Sequence, residues 1–132
     1  MDLLRRALGV GAIVMLLLAA PLVVLPRTIV EGIMGQSPIG DDVWIRLFGA
    51  AGVALGLVHV LIIRKLEDLW WWCWAFVVFD GSASVIALSH AAVGLPAGSA
   101  AWPWWLFGGV TALFTTLYVV GLAKAGQEKP FA

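Results

Sequence analysis

Asp80, His59 and Tyr118 are set inside long apolar runs, and together they offer the parts for acid–base chemistry. A carboxylic acid in an apolar pocket can protonate an alkene or epoxide, with an imidazole tuning it as base. The ring faces of Trp74 and Phe79 can stabilise developing positive charge. Ser84, Thr111 and Thr115 supply further hydrogen-bonding groups for a bound molecule. Cyclisation or isomerisation of a hydrophobic substrate is the reaction class these parts fit. The plainer reading of the same residues is that they link packed helices.

The surroundings dictate what must position them. The chain has 132 residues, 62% of them hydrophobic and 12% charged. A soluble domain carries roughly 45–50% apolar and about 25% charged residues, so bilayer is the natural solvent here. Net charge is zero and no basic block exists, which argues against nucleic acid as a partner. One cysteine, Cys73, allows no intrachain disulfide and is too little for a thiolate metal site. No metal-ligand spacing, nucleophile elbow or phosphate loop occurs, and nothing calls for a cofactor.

Four apolar stretches, 7–25, 43–63, 69–91 and 103–123, each reach the roughly 20 residues a membrane helix needs. The expected fold is an all-α integral membrane four-helix bundle, a single domain running up-down-up-down. The first stretch is expected to be a retained helix, because it exceeds a signal-peptide core of about 7–15 residues and lacks a small-x-small cleavage site. Arg5 and Arg6, Arg64 and Lys65, and Lys124 and Lys129 flank the spans on one side, with only Arg27 on the other. The positive-inside rule then places both termini in the cytoplasm and the protein in the cytoplasmic (inner) membrane. The outer loop 26–42 has Ile29, Val30, Ile33 and Met34 at helical spacing and Arg27 and Glu31 four apart, so it is either a short interfacial helix or a plain loop. Loop 92–102 has no charge and reads as a simple connector.

Eight tryptophans fall into two groups. Trp70, Trp71, Trp72 and Trp74 open the third span, while Trp44, Trp102, Trp104 and Trp105 open the second and fourth. Indole favours the headgroup level, so both groups read as aromatic belts. Three consecutive tryptophans point about 100° apart and cannot all line one pocket.

Within the spans, spacing picks out faces. The second carries Gly49, Gly52, Gly56, His59 and Ile63; the third Cys73, Val77, Asp80, Ser84, Ala87 and Ala91; the fourth Gly108, Thr111, Thr115 and Tyr118. The first has almost no such stripe. Small residues on a membrane helix permit close backbone approach. Asp80 lies about 16 Å from either end of its span at 1.5 Å per residue. An ionisable group at that depth costs about 2.5–3.5 kcal/mol on insertion scales and usually faces the interior.

Depth decides its partner. Side chains lean toward the N-terminus of their helix, so Arg46, roughly 10 Å outward, leans away from Asp80. Arg46 is expected to pair with Asp42, four residues earlier, or with a lipid phosphate. His59 and Tyr118 lie inward of Asp80 and lean back toward it, with Trp74 walling the space at the same depth. His90 lies about 24 Å from His59 in depth, too far to share an iron, and belongs at the outer headgroups near Asp41 and Asp42.

The order of short motifs, PR at 26–27, MG at 34–35, and RLFG at 46–49 with Gly56, resembles the DoxX-like group and related small four-helix bacterial inner-membrane families. The resemblance implies a four-helix protein of the cytoplasmic membrane and no dependable activity. Three functions stay open: a non-enzymatic subunit or accessory factor in a membrane complex or homo-oligomer; a binder or acid–base enzyme for a lipid-like molecule such as an isoprenoid, sterol-like compound or quinone; and a small proton- or cation-coupled transporter.

Overall fold

A computed structural model describes residues 1–128; Lys129, counted above among the basic flanks, lies outside them. The described residues are helical with no strand, and four helical stretches are long and apolar enough to cross a membrane. Helix α1 covers Asp2–Val24, α2 Val43–Arg64, α3 Leu66–Leu69, α4 Trp74–Val93 and α5 Trp102–Glu128. A single 3₁₀ turn, Trp70–Cys73, joins α3 to α4, making one continuous span from Leu66 to Val93.

The boundaries differ from the apolar runs because buried contacts extend the helices past them. Leu4 is sealed in the core, so α1 begins five residues before the expected start at 7. Leu122 and Ala125 are buried too, and α5 continues through Lys124 to Glu128. At its other end α1 stops where Leu25 precedes Pro26, a position that disfavours helical backbone. Arg46 meets the carbonyls exposed there, donating to Val23 and Val24 while pairing with Asp42 at 3.2 Å.

The helices form two tight pairs. Between α1 and α2, a Cβ added at Gly52 would lie 2.6 Å from the Ala19 Cβ, and one at Gly56 would lie 2.7 Å from the Leu16 Cγ. No side chain fits, which is why glycines recur on this face. The first span therefore does carry a matching small face, Ala12 and Ala19, contrary to expectation; intervening Leu and Met residues hide it in the sequence. Between α4 and α5, Gly108 receives Leu88, and Gly81 faces Thr115. The pairs meet along α1 and α5, where Leu4 packs on Gly121. By contrast, the backbones of α2 and α4 stay farther apart, and the two helices meet through side chains, His59 on Phe76.

The N-terminal ammonium pairs with Glu128 at 2.7 Å, so α1 begins where α5 ends; this is the terminal end. At the opposite, loop end the two long connections are tied together. Ala100 N–H donates to the Gly35 carbonyl, Gln36 Nε2 donates to the Ala100 carbonyl, and the Ser37 and Ser99 hydroxyls lie 2.8 Å apart. Gly35 has φ +60, a left-handed conformation that suits glycine and turns its carbonyl to this use. Loop 94–101 is thus a docked segment and more than a connector. Loop 26–42 contains a one-turn π-helix, Thr28–Ile33. Its Glu31 accepts from the Ile39 N–H while Arg27 pairs with Asp42 at 3.9 Å, so the two residues bond elsewhere despite their i, i+4 spacing.

Large buried side chains concentrate toward the terminal end. One cluster holds Leu4, Leu8, Ile62, Leu66, Trp70, Cys73, Phe76, Phe114, Tyr118 and Leu122. In the loop-end half most buried positions are small or polar, among them Ala19, Gly49, Gly52, Asp80, Ser84, Ala87, Gly108 and Thr111, with Pro26 and Pro103 beside them.

Candidate functional site

The 3₁₀ turn decides which tryptophan faces inward. With three residues per turn, positions i and i+3 eclipse, and Trp70 and Cys73 both enter the core. Trp71 and Trp72 point out and stack on each other at 4.9 Å. Trp74 follows Cys73 outward and is 51% exposed, so it does not wall the interior. Phe79 is only partly buried. The aromatic wall is Phe76, whose ring lies 3.7 Å from that of His59 in a near-parallel stack.

Phe76 was legible in principle, being four residues before Asp80 and three after Cys73, on the same face. Gly11 gave no such signal. A Cβ there would meet the Tyr118 hydroxyl at 2.3 Å and His59 Nε2 at 3.3 Å, so α1 contributes the space in which those two groups meet.

His59 and Tyr118, expected together, are together. His59 Nε2 lies 3.0 Å from the Tyr118 hydroxyl, and both residues are fully enclosed. The other ring nitrogen, Nδ1, lies 2.8 Å from the Leu55 carbonyl, which can only accept. Nδ1 therefore carries the proton, Nε2 of the neutral ring is an acceptor, and the tyrosine O–H donates to it. Phe114 completes the setting, stacked against Tyr118 at 5.9 Å.

The remaining polar groups bond to backbone. Ser84 Oγ donates to the Gly108 carbonyl across α4 and α5 at 2.9 Å. Thr111 Oγ1 is shared between the carbonyls of Phe107 and Gly108, and Thr115 Oγ1 donates to that of Thr111. Such back-bonding is the usual fate of hydroxyls inside apolar helices.

Asp80 stands apart. It is 5% exposed, within electrostatic reach of Tyr118, and has no hydrogen bond or ion pair among the described residues. The expected Asp80–His59 contact is not formed, because His59 directs one nitrogen to its own helix and the other to Tyr118. Arg46 stays at the loop end with Asp42. His90 meets Trp104 edge-on at 4.5 Å, and Trp104 in turn donates to Gln36. A recess of about 350 Å³ opens at the terminal end between Met1, Asp2, Leu3, Gly121, Lys124 and Glu128, none of them a candidate residue. No group of three or more His, Cys, Asp or Glu converges to hold a metal among the described residues. No family model, curated protein or solved structure matches the chain.

Proposed function

We propose that the chain is a four-span protein of the cytoplasmic membrane that acts without catalysis, as a small subunit or accessory factor. The observation that carries this reading is the bonding of its interior polar groups. His59, Tyr118, Ser84, Thr111 and Thr115 each hold a helix to itself or to a neighbour. None is left to activate a nucleophile or to relay a proton to Asp80, and the ring expected to shield a cation, Trp74, faces outward.

In this reading the helices run up-down-up-down with both termini cytoplasmic. Arg5, Arg6, Arg64, Lys65 and Lys124 are all exposed near the terminal end, as the positive-inside rule requires of the cytoplasmic side. Trp71, Trp72 and Trp74 form one exposed aromatic band and Trp44, Trp102 and Trp105 the other. The resemblance to the DoxX-like group is consistent with this architecture and adds no activity to it.

The test is native mass spectrometry of the protein gently extracted from its own membrane. A stoichiometric protein partner, retained equally by Asp80→Asn, is the expected result. A chain that is always released alone would sink the subunit reading.

A further inference from the structure

The protons of the interior can be assigned one by one. The Tyr118 hydroxyl proton goes to His59, and the His59 Nδ1 proton goes to Leu55. The Ser84 proton goes to Gly108, and those of Thr111 and Thr115 go to carbonyls of their own helix. A hydroxyl has one proton to give, so none of these can serve Asp80 without abandoning a bond already made. Asp80 is 95% buried by its 5% exposure, at a depth where polar groups normally find partners.

Its carboxyl oxygens are nevertheless not sealed. No buried side-chain oxygen among the described residues is both closed off and unpartnered, so the Asp80 oxygens border a space that water can enter. Two features of the fold bear on access to them. Asp80 lies one turn past Phe76 on α4, level with Phe114, and toward the loop end most of the buried residues beyond it are glycine, alanine, serine and threonine. It also lies on α4, whose backbone stays apart from that of α2 and meets it through the Phe76 and His59 rings, one turn toward the terminal end.

We propose that Asp80 is the binding point for the hydroxyl group of a long hydrophobic alcohol, of isoprenoid or sterol type, which enters sideways from the membrane between α2 and α4. A single buried acid with no internal donor is served by one compact donor, and a hydroxyl can donate to it and also accept in return. An ammonium needs several acceptors at once, and only one side chain here is unoccupied. The His59–Phe76 stack lies one turn from Asp80 toward the terminal end and bounds the site on that side. The proposal rests on the membrane-embedded part of the reading above and is independent of whether a protein partner exists.

The experiment uses the purified full chain in lipid nanodiscs, without any partner, and compares an isoprenoid alcohol with the hydrocarbon and the primary amine of the same chain. Wild type should retain the alcohol well above the hydrocarbon. Asp80→Leu should weaken retention about tenfold or more, the scale of one hydrogen bond to a buried acid, whereas Asp80→Asn, which keeps an acceptor, should retain most of it. Without ligand, Asp80→Leu should melt no lower than wild type, since it removes a buried group that has no internal partner. Failure of wild type to retain the alcohol would overturn the proposal. Equal retention of the hydrocarbon, preference for the amine, unchanged binding by Asp80→Leu, or a lower melting point for that variant would do so too. A missing protein partner in the earlier test leaves all of these outcomes readable.

Discussion

Gly11→Ala is the most searching substitution that the geometry offers, because one methyl group would strike a bond between two other helices. The added Cβ would stand 2.3 Å from the Tyr118 hydroxyl, where ordinary contact begins at 3.4 Å. The hydroxyl must therefore retreat by more than 1 Å, and its bond to His59, 3.0 Å long, is lost unless the imidazole follows. His59 cannot readily follow, being held at Nδ1 by Leu55 and flat against Phe76. Overpacking of this kind costs about 1–3 kcal/mol. The lost interhelical bond adds about 0.6 kcal/mol, up to about 1.7. Against this, glycine to alanine inside a helix returns about 1 kcal/mol of propensity. The net effect is a destabilisation of about 1–3 kcal/mol, and its origin makes it conditional. In a Tyr118→Phe background the hydroxyl is gone, and the next atom in the way is His59 Nε2 at 3.3 Å, which requires only a slight shift. There Gly11→Ala should cost close to nothing. A double-mutant cycle of reversible unfolding in mixed micelles measures the difference. Equal costs in the two backgrounds would show that Gly11 does not face the His59–Tyr118 bond.

Three further outcomes rest on the same architecture. Gly52→Val should force α1 from α2, because its Cβ would lie 2.6 Å from that of Ala19, and should lower thermal stability in detergent by about 1–3 kcal/mol. Gly109→Ala, with nothing within 4 Å, should be neutral or slightly stabilising; a reversed ranking would contradict the helix pairing. For topology, a Cys73→Ser chain given Ala97→Cys should react with a membrane-impermeant thiol reagent on intact cells, and one given Lys124→Cys should react only after lysis. Labelling of both from outside would refute the shared cytoplasmic end.

The faces of the helices were legible because period and composition agree. Gly49, Gly52, Gly56 and His59 recur at 3 or 4 residues, and all four are buried; Gly108, Thr111 and Tyr118 behave alike. The meeting of His59 with Tyr118 followed from rise per residue and the lean of side chains, two quantities that do not depend on knowing the neighbours. Asp80 failed the same test for a reason that spacing does not contain. Depth and face say that two groups come near one another, but not which of several competing acceptors each will take. Leu55 O, only one turn before His59, claims the nitrogen that Asp80 needed. Trp74 departs from its expected place for a different reason. Depth alone places Trp74 beside His59, but six residues before Asp80 on α4 it lies about 120° round the helix from it, on the outward face. The docking of loop 94–101 on residues 35–37 was hidden because it is made by backbone groups, which every residue possesses.

The division of the interior bears on why an unserved acid is tolerated at all. Stability in such a chain comes from contacts that seal, and these lie toward the terminal end, where Tyr118, Leu4, Leu8, Leu66, His59 and Cys73 are wholly enclosed. Asp80 sits outside that group, in a half held by glycine contacts between α1 and α2, by Ser84 and Leu88 against Gly108, and by loops tied at Gly35 and Ala100. Placing the acid one turn nearer the terminal end would put it among groups that cannot move aside, and its desolvation would fall on the part of the fold that carries the stability. Where it is, the cost falls beside the seam between α2 and α4, whose backbones stay apart. A residue kept solely for packing would gain from becoming leucine there, since the surrounding small side chains leave room and no internal bond would be lost. The location suits a site for an external hydrogen-bond donor: its carboxyl oxygens are not sealed, and it lies far enough from the enclosed core that filling or emptying it leaves the fold standing.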